Sequence, residues 1–183
     1  MLEANRRTER LIDGLLVLAR GDHGLDMVEA VRFDRVAADV VSAFPGVTLR
    51  SRPTTVTGDP VLLTQLVTNL VENGVRHNVP DGSVDVRVTP DDGLVVSNTG
   101  PEIPPDRVPE LFEPFRRMTP DRTRSANGSG LGLSIVASIA GAHAMTVTAQ
   151  PNPGGGLTVH CHLPPKTSRP ERPTPCAEGS SST

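Results

Sequence analysis

Hydrophobic positions along this chain recur with two periods, and the switches between them lay out its elements. In residues 2–20, Leu11, Ile12, Leu15, Leu16, Leu18 and Ala19 repeat at three and four, which predicts an amphipathic helix that Gly21 and Gly24 end. Residues 28–33 read as a strand. Asp34 is placed to cap a helix over residues 35–43, and Pro45-Gly46 breaks it. Residues 47–52 alternate as a strand, and 54–57 form a β-branched run. Asp59-Pro60 opens the longest helix, which continues to about His77, with the aspartate as N-cap and the proline in the first turn. Asp81-Gly82 is a turn. Val84, Val86 and Val88 then alternate, Asp92-Gly93 turns and residues 94–97 return, so this segment is a hairpin. Residues 99–130 are rich in Pro, Gly and Arg and allow only short helical turns. A helix over 131–143 follows, then a last hairpin of 145–149 and 157–163 around Asn152-Pro-Gly-Gly-Gly. Layered helices and largely antiparallel strands predict an α+β two-layer sandwich over residues 25–163. Residues 164–183 hold mainly Pro, Ser, Thr and charge and read as a disordered tail.

Composition changes this picture in a few places. With four Phe and no Tyr or Trp among 183 residues, the core must be aliphatic. The net charge of −3, with no basic block, argues against nucleic acid as a partner. Cys161 falls in a strand and Cys176 in the tail, so the two cysteines make neither a disulfide framework nor a zinc site. No apolar run approaches the roughly 20 residues that cross a bilayer. Residues 1–10 are mostly charged and polar and do not form a signal peptide, so a soluble cytoplasmic chain is expected. The helix over residues 2–20 has no core of its own. It either packs on its own domain or is one helix of a bundle whose partner comes from elsewhere.

Chemistry concentrates on the helix that starts at Asp59. Leu63, Leu66, Val67, Leu70 and Gly74 share the face that packs inward. Asn69, Glu72, Asn73 and Arg76, spaced i, i+3, i+4 and i+7, share another. Two amides, a carboxylate and a guanidinium in one stripe are costly to bury unpaired, so the stripe faces either water or a ligand. The ligand chemistry is coherent. Mg²⁺ takes hard oxygen ligands and keeps waters, which suits one amide oxygen from Asn73 together with phosphates. Glu72 is placed to orient an attacking group or accept its proton, and Arg76 to neutralise phosphate charge.

About sixty residues on, Gly128-Ser-Gly130-Leu-Gly132-Leu runs into the next helix, letting backbone approach phosphates where free N–H groups and the positive helix end point. It is not a P-loop, because no Gly-Lys-Ser/Thr follows, and its spacing is not that of a dinucleotide fold. The polar residues 119–127 before it look like a lid, with Arg116, Arg117, Arg122 and Arg124 on or beside it for the γ-phosphate; a solvated basic loop is the plain alternative. Between the two motifs, Asn98 ends a strand and offers an acceptor for the amino group of adenine.

These residues together resemble the catalytic, ATP-binding domain of bacterial two-component sensor histidine kinases, of the superfamily shared with Hsp90, DNA gyrase and MutL. Asn69-Leu-Val-Glu72-Asn73-Gly-Val-Arg76-His77-Asn78 resembles its N box, with Asn73 as Mg²⁺ ligand. Asn98-Thr-Gly100-Pro-Glu102-Ile103 resembles its first glycine box, Leu111-Phe112-Glu-Pro-Phe115 its F box, and Gly128 to Leu133 its second glycine box. The resemblance implies a Bergerat-type sandwich with a mixed sheet under three helices. It implies ATP and Mg²⁺ as cofactors, and a nucleotide held by Asn69, Asn73, His77, Asn98, Gly100, Ile103, Arg116, Gly128, Gly130, Leu131, Gly132 and Leu133. Phosphoryl transfer to a histidine follows, with relay to the receiver domain of a response regulator. Two positions depart from the family: Asn98 stands where Asp is usual, keeping the acceptor without its charge, and Glu102 replaces a glycine, stiffening that turn.

A further departure is the phosphoacceptor motif His-Glu/Asp-Leu-Arg-x-Pro, which does not occur in the 183 residues. His23, His77, His143, His160 and His162 are none of them in such a context. Residues 10–20 resemble the end of the second helix of the dimerisation and phosphotransfer hairpin, so residues 1–24 are expected to be a remnant of it, and the chain the C-terminal part of a kinase acting on a histidine supplied elsewhere. A homodimer through the half hairpin is compatible with this. Two other functions fit the residues: a non-catalytic regulator that pairs with an intact kinase through residues 1–20, and an anti-sigma-factor type kinase that phosphorylates serine. Phosphoamino-acid stability separates the last, because phosphohistidine is acid-labile and phosphoserine is not.

Overall fold

The structure, a computed structural model, describes residues 28–115 and 130–164. The amphipathic segment of residues 2–20 and the tail beyond Pro164 lie outside these. The elements run β1 (Glu29–Arg32), α1 (Phe33–Ser42), β2 (Val47–Ser51), β3 (Thr55–Gly58), α2 (Pro60–Arg76), β4 (Val84–Thr89), β5 (Gly93–Asn98), α3 (Gly132–Ala142), β6 (Thr146–Pro151) and β7 (Leu157–His162). Two 3₁₀ turns, Pro105–Arg107 and Pro109–Phe112, are the only regular structure described between β5 and α3.

Five strands form a mixed sheet in the order β2-β4-β5-β7-β6. The β2–β4 pair is parallel and the other three ladders are antiparallel. β1 and β3 pair separately as an antiparallel two-stranded sheet. The architecture is the α+β sandwich expected. One row shows how it closes: Val86 faces Val96, Val96 faces Val159 and Val159 faces Ala149 across four strands. With period-2 alternation these side chains share the face that the helices cover. Leu63, Leu66, Val67, Leu70 and Val71 of α2 are almost wholly buried, as are Leu131, Val136 and Ile139 around α3. α2 packs on β4 and β5 and is flanked by α1 and α3. On the outer face of β7, His160 and His162 stack with ring centroids 5.5 Å apart. Cys161 points inward and is buried, which pushes its thiol up to about 12.

The start of α1 differs from expectation. The helix begins at Phe33 with Arg32 at the N-cap, and no side chain caps it. The Asp34 carboxylate instead accepts from Arg32 Nε at 2.9 Å and Nη2 at 2.7 Å, and from the Thr54 amide at 3.0 Å. A long-range donor and a bidentate guanidinium outweigh a local cap here, because charge-assisted paired hydrogen bonds are the stronger kind.

Candidate functional site

α2 is placed by its own ends. Asp59 Oδ1 accepts from Val61 N at 2.8 Å and Leu62 N at 3.2 Å, and Pro60 occupies the first helical position. With the inward face packed on the sheet, Gln65, Asn69, Glu72 and Asn73 are half-buried along the next face, and Arg76 is exposed at the last turn. The stripe is therefore neither core nor open surface. Arg76 Nη2 lies 3.8 Å from Glu72 Oε2, so these two charges screen each other loosely.

Asn69 is the informative residue. Its Oδ1 is 3.4 Å from Gln65 Nε2, a long contact, while its Nδ2 is buried with no hydrogen-bond partner among the described residues. A buried donor left unmet costs about 1–3 kcal/mol, so such a group calls for an acceptor, which a bound ligand can bring. Asn73, one turn on, uses its backbone carbonyl to accept from His77 N at 3.0 Å and commits its side chain to no partner among the described residues.

The second wall is the corner after β5. The buried Asn98 donates from Nδ2 to the Thr99 carbonyl at 2.7 Å, which turns Oδ1 away as the available acceptor. Two close approaches join this corner to α2. A Cβ on Gly74 would lie 3.5 Å from Asn98 Cβ, and one on Gly100 would lie 2.7 Å from the His77 carbonyl oxygen. Only glycine at position 100 lets the corner seat against the end of α2. The His77 imidazole is held below its usual range, first by partial desolvation and then by the Arg76 charge, which favours its neutral form.

The third wall is the start of α3. The Leu131 and Leu133 side chains join the core, so only their main chain could meet a ligand. No side chain among the described residues caps α3. The first N–H groups of a helix lack intrahelical acceptors and carry its positive end, which together favour an anion. α3 packs along α2, so this end and the Asn69–Asn73 stripe belong to neighbouring elements. The Phe115 amide donates to the Gly130 carbonyl at 3.0 Å, tying the F-box segment to the glycine segment. Ile103 is half-buried against the core. Arg116, Arg117, Arg122, Arg124 and Gly128, and the lid read over residues 119–127, lie outside the described residues.

Sequence reasoning missed two contributors. Gln65 extends the polar stripe one turn toward the N-terminus and was findable at i−4 from Asn69. Asn152, which holds the Asn98 corner from the β6–β7 turn, had no such signal, since its partners are 54 and 55 residues away.

The donor set suits ATP with Mg²⁺. Among the described residues no group of three or more His, Cys, Asp or Glu is arranged for a metal. A cation here would take amide and phosphate oxygens with water, as Mg²⁺ does, and the orphaned Asn69 amide suits a phosphate oxygen.

Comparison with known proteins supports an ATPase domain. Residues 58–167 match the family described as histidine kinase-, DNA gyrase B-, and HSP90-like ATPase. The sensor protein CutS of Streptomyces coelicolor is 43% identical over 176 residues, 90% of this chain and 42% of CutS. The sensor histidine kinase CusS of Escherichia coli O157:H7 is 33% identical over 84% of this chain and 35% of its own length. The chain thus spans less than half of these relatives. Among solved structures, the mycobacterial sensor histidine kinase MprB is 30% identical with a TM-score of 0.59, over 74% of this chain and 95% of that one. The cytoplasmic segment of histidine kinase QseC is 26% identical with a TM-score of 0.60, over 87% of this chain and 89% of that one.

Proposed function

The chain belongs to the histidine kinase-, DNA gyrase B-, and HSP90-like ATPase family as the ATPase domain of a sensor histidine kinase, and on that premise we propose that it binds ATP with Mg²⁺ and transfers the γ-phosphoryl group to a histidine. That histidine lies on a dimerisation and phosphotransfer helix outside residues 1–183, which lack the acceptor motif. The phosphoryl group then passes to the receiver domain of a response regulator. The described residues contain no helix long and apolar enough to cross a membrane. The QseC counterpart is a cytoplasmic segment, and we place this domain on the same side.

The observation that carries the reading is the buried Nδ2 of Asn69, unpartnered among the described residues, on the same helical face as Asn73. In the proposed complex Asn98 Oδ1 accepts from the adenine amino group. Asn69 Nδ2 donates to a phosphate oxygen, and Asn73 Oδ1 is the protein's ligand for Mg²⁺. The metal, when bound, supplies neutralisation of phosphate charge. The N–H groups at the start of α3 face the phosphate chain. Glu72 orients the incoming imidazole and takes its proton as the N–P bond forms and the bond to the ADP oxygen breaks. Arg76 holds Glu72 and offsets negative charge at the mouth of the site.

The test is calorimetric titration with ATP and Mg²⁺, with Asn73→Ala as control, followed by incubation with a separate phosphotransfer hairpin. We expect binding that the substitution lowers at least about tenfold, and an acid-labile phosphate on the hairpin histidine. An acid-stable product, or no binding by the parent chain, overturns the reading.

A further inference from the structure

We infer that Asn152, in the turn between β6 and β7, is a positioning residue that sets how well the site recognises the adenine amino group. This rests on the reading of Asn98 as the adenine acceptor. Asn152 is half-buried and belongs to a different element from every residue assigned to the nucleotide. Its Nδ2 donates to the Asn98 carbonyl oxygen at 2.9 Å and to Ser97 Oγ at 3.2 Å. Its Oδ1 accepts from Thr158 Oγ1 at 2.6 Å. Ser97 Oγ and Thr158 Oγ1, cross-strand neighbours on β5 and β7, are 2.7 Å apart.

Counting protons fixes the direction of every bond. Thr158 has one hydroxyl proton and gives it to Asn152, so Ser97 is the donor to Thr158. Ser97 in turn accepts from Asn152. The three side chains form a closed ring in which each donates to the next, and the second Asn152 N–H is left for Asn98. A ring of this kind is satisfied only by an amide at position 152, because a carboxylate has no proton to give to either Ser97 or Asn98.

The turn presses its backbone on the same corner. Gly156 N donates to the Pro101 carbonyl at 3.0 Å. Gly155 and Gly156 have φ of 101° and 100°, and a Cβ on either would collide with the carbonyl oxygen of Gly100 or Asn98. The corner is thus gripped from one side by the His77 carbonyl and from the other by Asn152. Between these grips the Asn98 side chain is oriented by its bond to the Thr99 carbonyl. Loosening Asn152 frees the Asn98 peptide to rotate and spreads the position of Oδ1, while the phosphate-binding groups on α2 and α3 stay where they are.

The experiment compares the full chain with Asn152→Asp and Thr158→Val. Each is titrated with ATP and with purine riboside triphosphate, which lacks the amino group, both with Mg²⁺. Thermal unfolding confirms that each variant is folded. We expect Asn152→Asp to weaken ATP about three- to tenfold, the range of one hydrogen bond, and to leave the desamino analogue unchanged. Thr158→Val should move ATP in the same direction by less. Equal loss on both ligands, or no loss on either, overturns the inference while leaving ATP binding by the parent chain intact. Failure of the parent chain to bind ATP removes the nucleotide reading, and this inference with it.

Discussion

At the scale of single residues, the proposed site would trade stability for function at Asn69. Its Nδ2 is buried without a partner among the described residues, and Gln65 makes only a long contact to its Oδ1. A leucine of similar volume would remove the desolvated donor, and Gln65, half-buried, can turn to water. Asn69→Leu should therefore raise the thermal midpoint of the nucleotide-free chain by about 2–6 °C. The same change should weaken ATP at least about tenfold. A lower midpoint with unchanged affinity would mean that Asn69 has a structural partner and no ligand. Asn98 shows a related economy. One of its amide N–H groups donates to the Thr99 carbonyl, which an aspartate would instead repel, so asparagine suits this corner where the family usually has aspartate.

At the scale of elements, α2 and α3 are joined where their ends meet. His143, at the C-cap of α3, is buried. Its Nδ1 is 2.8 Å from the Ile139 carbonyl, and its Nε2 accepts from the Asp59 amide at 3.1 Å. An amide needs an acceptor, so Nε2 is unprotonated and the proton sits on Nδ1. Gly58 has no side chain because a Cβ there would strike this ring. His143→Ala removes the bridge, opens a cavity and strands the Asp59 N–H. We expect a loss of about 2–4 kcal/mol in urea unfolding, with ATP affinity of the remaining folded protein little changed. Local signals made most elements legible. Asp59-Pro60 marked α2, the valine alternation marked β4, and the N-box stripe marked the candidate site. The misread positions depend on distant partners. Asp34 looks like a cap until Thr54, twenty residues away, supplies a better donor. The parallel pairing of β2 with β4 depends on β3 and α2 crossing between them, and no local pattern in residues 47–51 encodes it. Asn152 was invisible for the same reason.

For the whole molecule, α1 is joined to the small β1–β3 sheet by a charge, which gives folding a pH dependence. The Asp34 carboxyl is held well below the usual carboxylate range. The Arg32 guanidinium is the main cause, burial opposes it, and the Thr54 amide adds to the lowering. A group whose folded pKa is depressed contributes stability above its unfolded pKa and loses it as pH falls toward the folded value. The contribution of Asp34 is therefore full at neutral pH and fades below about pH 4, where unfolded aspartate begins to take up protons. Asn at this position keeps the shape and removes the charge. Asp34→Asn should lower the urea midpoint at pH 7, and the gap from the parent chain should narrow steadily between about pH 4 and pH 2. A gap that stays constant with pH would assign the role of Asp34 to packing and neutral hydrogen bonding. Because Asp34 binds the segment between β2 and β3 and not the nucleotide walls, ATP affinity at pH 7 should not follow the midpoint.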